Sequence, residues 1–183
     1  YSSTPTITVN NANGMVINGV VGGAATSLTK AGTGTLTLGS VNTFTGVMNV
    51  AGGVLSISNG SALGSTQAGT VVAAGASLEL QNSITVGAEG LTLNGTGFNN
   101  TGALRSRSGN NTYGGTLTLN SAAVTIRSDA NSTMTLGVLS YRSAFQLFEF
   151  GHAGAYGMLL LVISLGFAVV YTWLSARQER AER

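Results

Sequence analysis

Residues Leu28 to Gly64, LTKAGTGTLTLGSVNTFTGVMNVAGGVLSISNGSALG, decide how the first three quarters of the chain are read. In Thr35-Leu36-Thr37-Leu38 and in Leu55-Ser56-Ile57-Ser58 aliphatic and hydroxyl side chains alternate with period two. That spacing sets the aliphatics on one face of a short strand and the hydroxyls on the other. Around these pieces stand Gly32, Gly34, Gly39, Gly46, Gly52, Gly53 and Gly60, with Asn42 and Asn59. Such residues tolerate the positive φ angles of tight turns. Short half-buried strands separated by frequent turns describe a stacked β-solenoid, not an enzyme fold.

The pattern extends in both directions. Thr6–Val9 and Met15–Ile17 read as an entering coil; Val71–Val72, Leu78–Leu80, Ile84–Val86 and Leu91–Leu93 read as successive sides, followed by Leu117–Leu119, Val124–Ile126 and Met134–Leu136. About six coils are expected over residues 6–137. Their strands are parallel, with Leu36, Leu38, Leu55, Ile57, Leu78, Leu80, Leu91, Leu93, Leu117 and Leu119 pointing inward, because a one-residue slip would bury threonines and expose leucines along a whole side.

The order LTKAGTGTLTLG, NTFTG, GGVLSISNGSALG resembles the autotransporter-associated β-strand repeat, and GALRSRSGNNTYGGTLTLNSAAVTIRSDANSTMTLG (102–137) resembles the stretch that follows such repeats. The resemblance covers residues 28–137. It implies a right-handed parallel β-helix of a bacterial surface passenger, a stalk or adhesin, and offers no catalytic residue to carry over.

Composition agrees. The chain of 183 residues has 27 glycines and one proline, and only 8% of its residues are charged, against about 25% in ordinary globular domains. Ser, Thr and Asn must therefore keep the outer faces wet. A formal charge of +2 without a Lys/Arg stripe argues against a nucleic-acid partner. Zero cysteines excludes disulfides and thiolate metal sites. The start at Tyr1, without Met and without a signal peptide, reads as a processed form or a piece of a longer chain.

The texture changes near 137–140. Residues 138–150 form a junction, 151–177 a membrane-spanning helix, and 178–183 a basic cytoplasmic tail. Between His152 and Arg177 there is no formally charged residue; as a helix this run reaches about 36 Å, more than the roughly 30 Å of a bilayer core. Tyr156, Tyr171 and Trp173 suit its two interfaces, and Arg177, Arg180 and Arg183 put the C-terminus in the cytoplasm. The solenoid is then periplasmic or extracellular. Membrane lipid is the expected partner, and Gly154 and Gly157 mark a face for other membrane helices.

Tyr141, Ala144-Phe145, Gly151, Ala153 and Ala155, followed by an apolar helix and a basic end, are similar to the last membrane segment of binding-protein-dependent sugar ABC transporter permeases. This implies the same orientation. It also opens the alternative that the chain is a permease fragment fused to an unrelated solenoid.

No catalytic, cofactor-binding or metal-binding residue is assigned, and no cofactor is expected. His152, the single histidine, reads as an interfacial residue, as does Glu149, paired with Arg142. Glu79, Glu89 and Asp129 read as solvated surface acids; stacking could bring Glu79 and Glu89 near each other, but one pair is a weak signal of a site. Arg105, Arg107 and Arg127 form a small basic spot if their coils adjoin, either an ordinary charged edge or a ligand site. Asn94-Gly95-Thr96 and Asn131-Ser132-Thr133 are Asn-X-Ser/Thr triplets arising from composition, and no glycosylation is read from them.

Overall fold

The computed structural model describes residues 4–23 and 27–140. The apolar run, His152, Glu149, the membrane-helix and permease readings and the basic tail all fall outside the described residues. Among the described residues no helix is long and apolar enough to cross a membrane.

Two stacked sheets make up the fold. One contains β1 (Thr6–Thr8), β3 (Leu28–Ala31), β5 (Met48–Val50), β7 (Thr70–Val72), β10 (Leu91–Leu93), β12 (Gly109–Leu119) and β14 (Ser132–Ser140), in that order, with β9 (Thr85–Val86) also paired to β12. The other runs β2 (Met15–Ile17), β4 (Thr35–Leu38), β6 (Gly53–Ile57), β8 (Ala76–Leu80), β11 (Leu104–Ser106) and β13 (Ile126–Ser128). Through β8 the chain alternates between the sheets, one strand to each per coil; β9 and β10 then both join the first sheet, side by side along β12, before β11 to β14 resume the alternation. Every pairing among these strands is parallel. This is a parallel β-solenoid of about six turns. The coil length follows from the register: Leu28 pairs Met48 and Met48 pairs Thr70, offsets of 20 and 22 residues. The stretch Leu28–Gly64 therefore carries two coils, and its strands β3 and β5 escape a reading that recognises only the longer alternating pieces.

Inward positions stack in columns. On the second sheet Leu36, Leu55, Leu78 and Leu104 are mutual register partners, as are Leu38, Ile57 and Leu80. Of the ten residues expected inside, nine are fully buried. Leu119, near the C-terminal end of the stack, is partly buried against the core. Each of the nine removes apolar surface worth about 1.5–3 kcal/mol.

Turn chemistry departs from expectation. Of the turn residues named above, only Gly32 (φ +81°) and Gly53 (φ +61°) occupy the left-handed region. Elsewhere the constraint is closeness between coils: a Cβ on Gly60 would sit 2.0 Å from the Thr85 carbonyl oxygen. Asn42 is no turn former either. It is buried, accepts a hydrogen bond from Val21 N (2.8 Å) on the preceding coil, and donates from Nδ2 to the Ala62 carbonyl (2.6 Å) on the next. Asn111 acts similarly, accepting from Ile84 N (2.9 Å) and donating to Ser106 Oγ (2.8 Å) and the Ser108 carbonyl (2.9 Å). Corners without ladder partners thus have their backbone groups satisfied by amide side chains.

Strand β14 continues to Ser140, so regular β-structure runs through the stretch where the sequence texture changes.

Candidate functional site, a charged ladder on the second sheet

Polar side chains stand out in two places, inside the coil stack and on one outer column. Inside, the register puts Lys30 in a column with Ile7, Val50, Val72 and Leu93, and its side chain is completely buried. The ammonium donates to three carbonyls, Ala31 (3.1 Å), Gly32 (2.8 Å) and Gly52 (2.7 Å). Three donors meet three acceptors, which makes burial of the charge tolerable. Burial pulls its pKa down to about 8. The parity of LTKAG, with Lys30 two residues after the inward Leu28, was the available signal for it.

Glu89 is also buried, contrary to its reading as a solvated acid. One carboxyl oxygen accepts from Thr70 Oγ1 (2.9 Å), another polar residue at an inward position. Burial pushes its pKa up, and the Thr70 hydrogen bond opposes this. Among the described residues, Glu89 Oε2 and the hydroxyl of the fully buried Tyr113 find no hydrogen-bond partner. The Tyr113 pKa is driven far above its ordinary value by burial and by the charge of Glu89. Glu79 and Glu89 do not form a pair, since they belong to different neighbourhoods: Glu79 lies on β8 beside the arginines, Glu89 beside β7.

The outer column collects the remaining charges. Glu79 pairs in register with Arg105, and Arg105 with Arg127. Stacking therefore places β8, β11 and β13 so that the acid and both arginines form one ladder. Arg105 is the middle rung, and each of its three nitrogens is engaged. Its Nη1 donates to Glu79 Oε1 (2.8 Å), while Nε and Nη2 make a fork on Asp129 (3.0 and 2.5 Å). Arg107 reaches the second oxygen of Glu79 (3.4 Å) through Nη1, and Arg127 reaches Asp129 (3.2 Å) through Nε. Glu79 is buried beneath this network, again not a solvated acid. Asp129 is held below its ordinary pKa chiefly by its hydrogen bond from Arg105, whose own pKa is raised mainly by the same bond. The basic spot expected from sequence exists, with two carboxylates built into it.

Among the described residues no group of three His, Cys, Asp or Glu side chains is arranged to hold a metal ion. A groove on the first sheet, lined by Gly69, Gly90, Thr92, Thr116 and Thr118 among others, carries no ionisable side chain. The ladder is the strongest concentration of exposed charge in the described solenoid.

Residues 28–57 match the passenger-associated-transport-repeat family. The matched segment is β3 to β6, the two coils that hold Lys30 and its carbonyl cradle. The chain is also similar to the Adhesin BmaC autotransporter of Brucella suis biovar 1 (strain 1330), 41% identical over 83 residues. That alignment covers 45% of this chain and 2% of the relative, so the chain spans a small part of the curated relative it matches. No solved structure matches significantly.

Proposed function

We propose that the chain is a non-enzymatic, surface-presented segment of an autotransporter-type passenger, a stalk or adhesive scaffold. The observation that carries this reading is the coincidence of the repeat-family match at 28–57 with two regular coils of a parallel solenoid. Similarity to an adhesin supports it. The described interior is filled by stacked aliphatics, and the buried ionisable groups are held within the core, so what the coils offer a partner is an outer surface. A right-handed coil is part of the proposal, since parallel crossovers take that hand almost without exception.

The apolar run at 151–177 serves in this proposal as an anchor, with the solenoid periplasmic or extracellular and the basic tail cytoplasmic. The absence of cysteine from the sequence makes the test simple. Cysteines introduced as Ser140→Cys and Glu182→Cys are treated with a membrane-impermeant thiol reagent, on intact cells and on spheroplasts. Labelling at 140 but not 182, with the protein in the membrane fraction, is the expected result. Equal labelling of both positions, or protein confined to the soluble cytosol, would overturn the anchored surface reading.

A further inference from the structure

We infer that the Arg107 and Arg127 edge of the charged ladder binds sulfate or carboxylate groups carried on an acidic polysaccharide. The two guanidinium groups differ from that of Arg105. Each makes one contact to a carboxylate, and more than half of each side chain is exposed, 55% and 52% against 22% for Arg105. Among the described residues, Arg107 Nε and Nη2 and Arg127 Nη1 and Nη2 have no protein partner. These are the edges that take an anionic oxygen pair in a fork. The three arginines exceed Glu79 and Asp129 by one positive charge, 3 − 2 = +1.

The two acids do more than reduce the charge. By tying one nitrogen of each outer arginine, they hold the guanidinium groups in place before any ligand arrives, which lowers the ordering cost of binding. Arg127 sits one strand from Arg105, and Arg107 sits two residues along the chain from it, so their backbones are roughly 8 Å apart across the diagonal. One polymer chain carrying successive anionic groups suits two such points better than one small anion.

A polysaccharide is favoured over an acidic peptide by what surrounds the site. Hot spots for protein ligands are Trp, Tyr and Arg side chains seated in well-packed, desolvated pockets, whereas Arg107 and Arg127 are more than half exposed. The exposed large hydrophobics among the described residues are Met15, Val16, Val20 and Val41, all on the first two coils and none on β11 or β13. Around the arginines the exposed neighbours are Ser108, Ser128 and Ala130. Charge and hydroxyl groups without an apolar anchor fit a sugar chain.

The inference rests on the scaffold reading only in that a surface coil meets polysaccharides, and its test is made on purified protein, where location plays no part. The full chain in a non-ionic detergent is measured against heparin and polygalacturonate, with polyglutamate and inorganic sulfate as comparison probes. The parent should bind both polysaccharides, weaken as ionic strength rises, and be displaced by inorganic sulfate only at far higher concentration. Arg107→Ala/Arg127→Ala should bind at least tenfold more weakly while keeping a cooperative melt only slightly below the parent's, and Arg107→Lys/Arg127→Lys should fall between. If the double alanine variant melts early, Arg127→Gln alone replaces it and should lose affinity on the same probes. The inference is overturned if the parent binds neither polysaccharide, if the folded variants bind as well as the parent, if polyglutamate binds as tightly as the sugars, or if sulfate competes at equal molar anion. None of these results alters the thiol-labelling outcome that tests the scaffold reading.

Discussion

The Lys30 ammonium donates a 2.7 Å hydrogen bond to the carbonyl of Gly52, one coil further along the solenoid. With Gly32, Gly52 closes a backbone cradle around a cation that has no contact with solvent. Gly53 makes the cradle possible, because a Cβ there would lie 2.8 Å from Nζ and 2.5 Å from the Gly32 oxygen, at a φ of +61°. The glycines of this corner are thus spaced around a charge.

Lys30→Met should test the cradle. The apolar stem is replaced at similar volume, but three carbonyls lose their donor inside the coil, at about 1–3 kcal/mol for each group left unsatisfied. A loss of roughly 2–4 kcal/mol in denaturant midpoint analysis is expected after partial relaxation. Gly53→Ala should also destabilise, by steric conflict and left-handed backbone strain. Stability equal to the parent in either variant would show that the cradle is not needed.

The same lysine gives the solenoid an alkaline signature. Its folded pKa, about 8, lies below the ordinary 10.5. Below pH 8 both states hold the proton and stability does not depend on it; between about 8 and 10.5 the unfolded state holds a proton that the folded state releases. Stability therefore rises with pH, by up to about 1.4 kcal/mol per pH unit. Melts from pH 8 to 9.5 stay below the range where Tyr113, with its raised pKa, acts in the opposite sense. The parent should gain stability across that window and Lys30→Met should not.

The alternation in Thr35–Leu38 and Leu55–Ser58 was sufficient to read parallel coils and their inward leucines, because parity survives whatever the neighbouring coil does. Parity marks Lys30 and Thr70 as inward, but could not reveal the partners that let the stack enclose them. Lys30 and Thr70 occupy inward positions whose column mates are aliphatic, and their partners lie at Gly52 and Glu89, 22 and 19 residues away. Glu79 is outward by parity yet buried, since Arg105 and Arg107 close over it from later sequence. Composition treats an acid in a Gly/Ser/Thr-rich chain as solvated, whereas its burial is fixed by the register between coils.

Removing Arg105 should damage the ladder far more than removing either outer rung. Among the described residues it alone makes ion pairs with both Glu79 and Asp129, and Arg105→Ala would leave a buried carboxylate with the 3.4 Å contact to Arg107. A loss of about 2–3 kcal/mol is expected, between the values for exposed and buried pairs. Arg107→Ala and Arg127→Ala should each cost under about 1 kcal/mol. Urea titrations of the three variants would check this order, and similar losses in all three would contradict it.

A Leu117→Asp substitution places a carboxylate between Leu91 and the far coil, at a fully buried position. An isolated buried charge costs several kcal/mol or is forced to take up a proton. The adjoining coils should open, seen as loss of amide-exchange protection in β10 and β12 ahead of β4 and β6. A melt matching the parent at neutral pH would mean that the side chain escapes to solvent and that the inward assignment of this column is wrong.

Glu89 should make the solenoid more stable in mild acid than at neutral pH. Burial raises its folded pKa above the ordinary 4.5, against the smaller opposing effect of the Thr70 hydrogen bond. A raised carboxyl pKa means that the folded state keeps a proton the unfolded state has lost, so this stability is complete below about 4.5 and fades as pH rises through the folded value. Asp129 has the opposite sign, with a lowered pKa, but its contribution is lost only below its ordinary 3.8 and leaves the higher window clear. Glu89→Gln retains an acceptor for Thr70 and replaces the unpartnered Oε2 with an uncharged amide facing the Tyr113 neighbourhood. Melting temperatures measured from pH 4.5 to 8 should fall in the parent and fall less in Glu89→Gln, leaving the variant the more stable protein at pH 8. Parallel curves would show that Glu89 ionises in the folded coil as readily as in water.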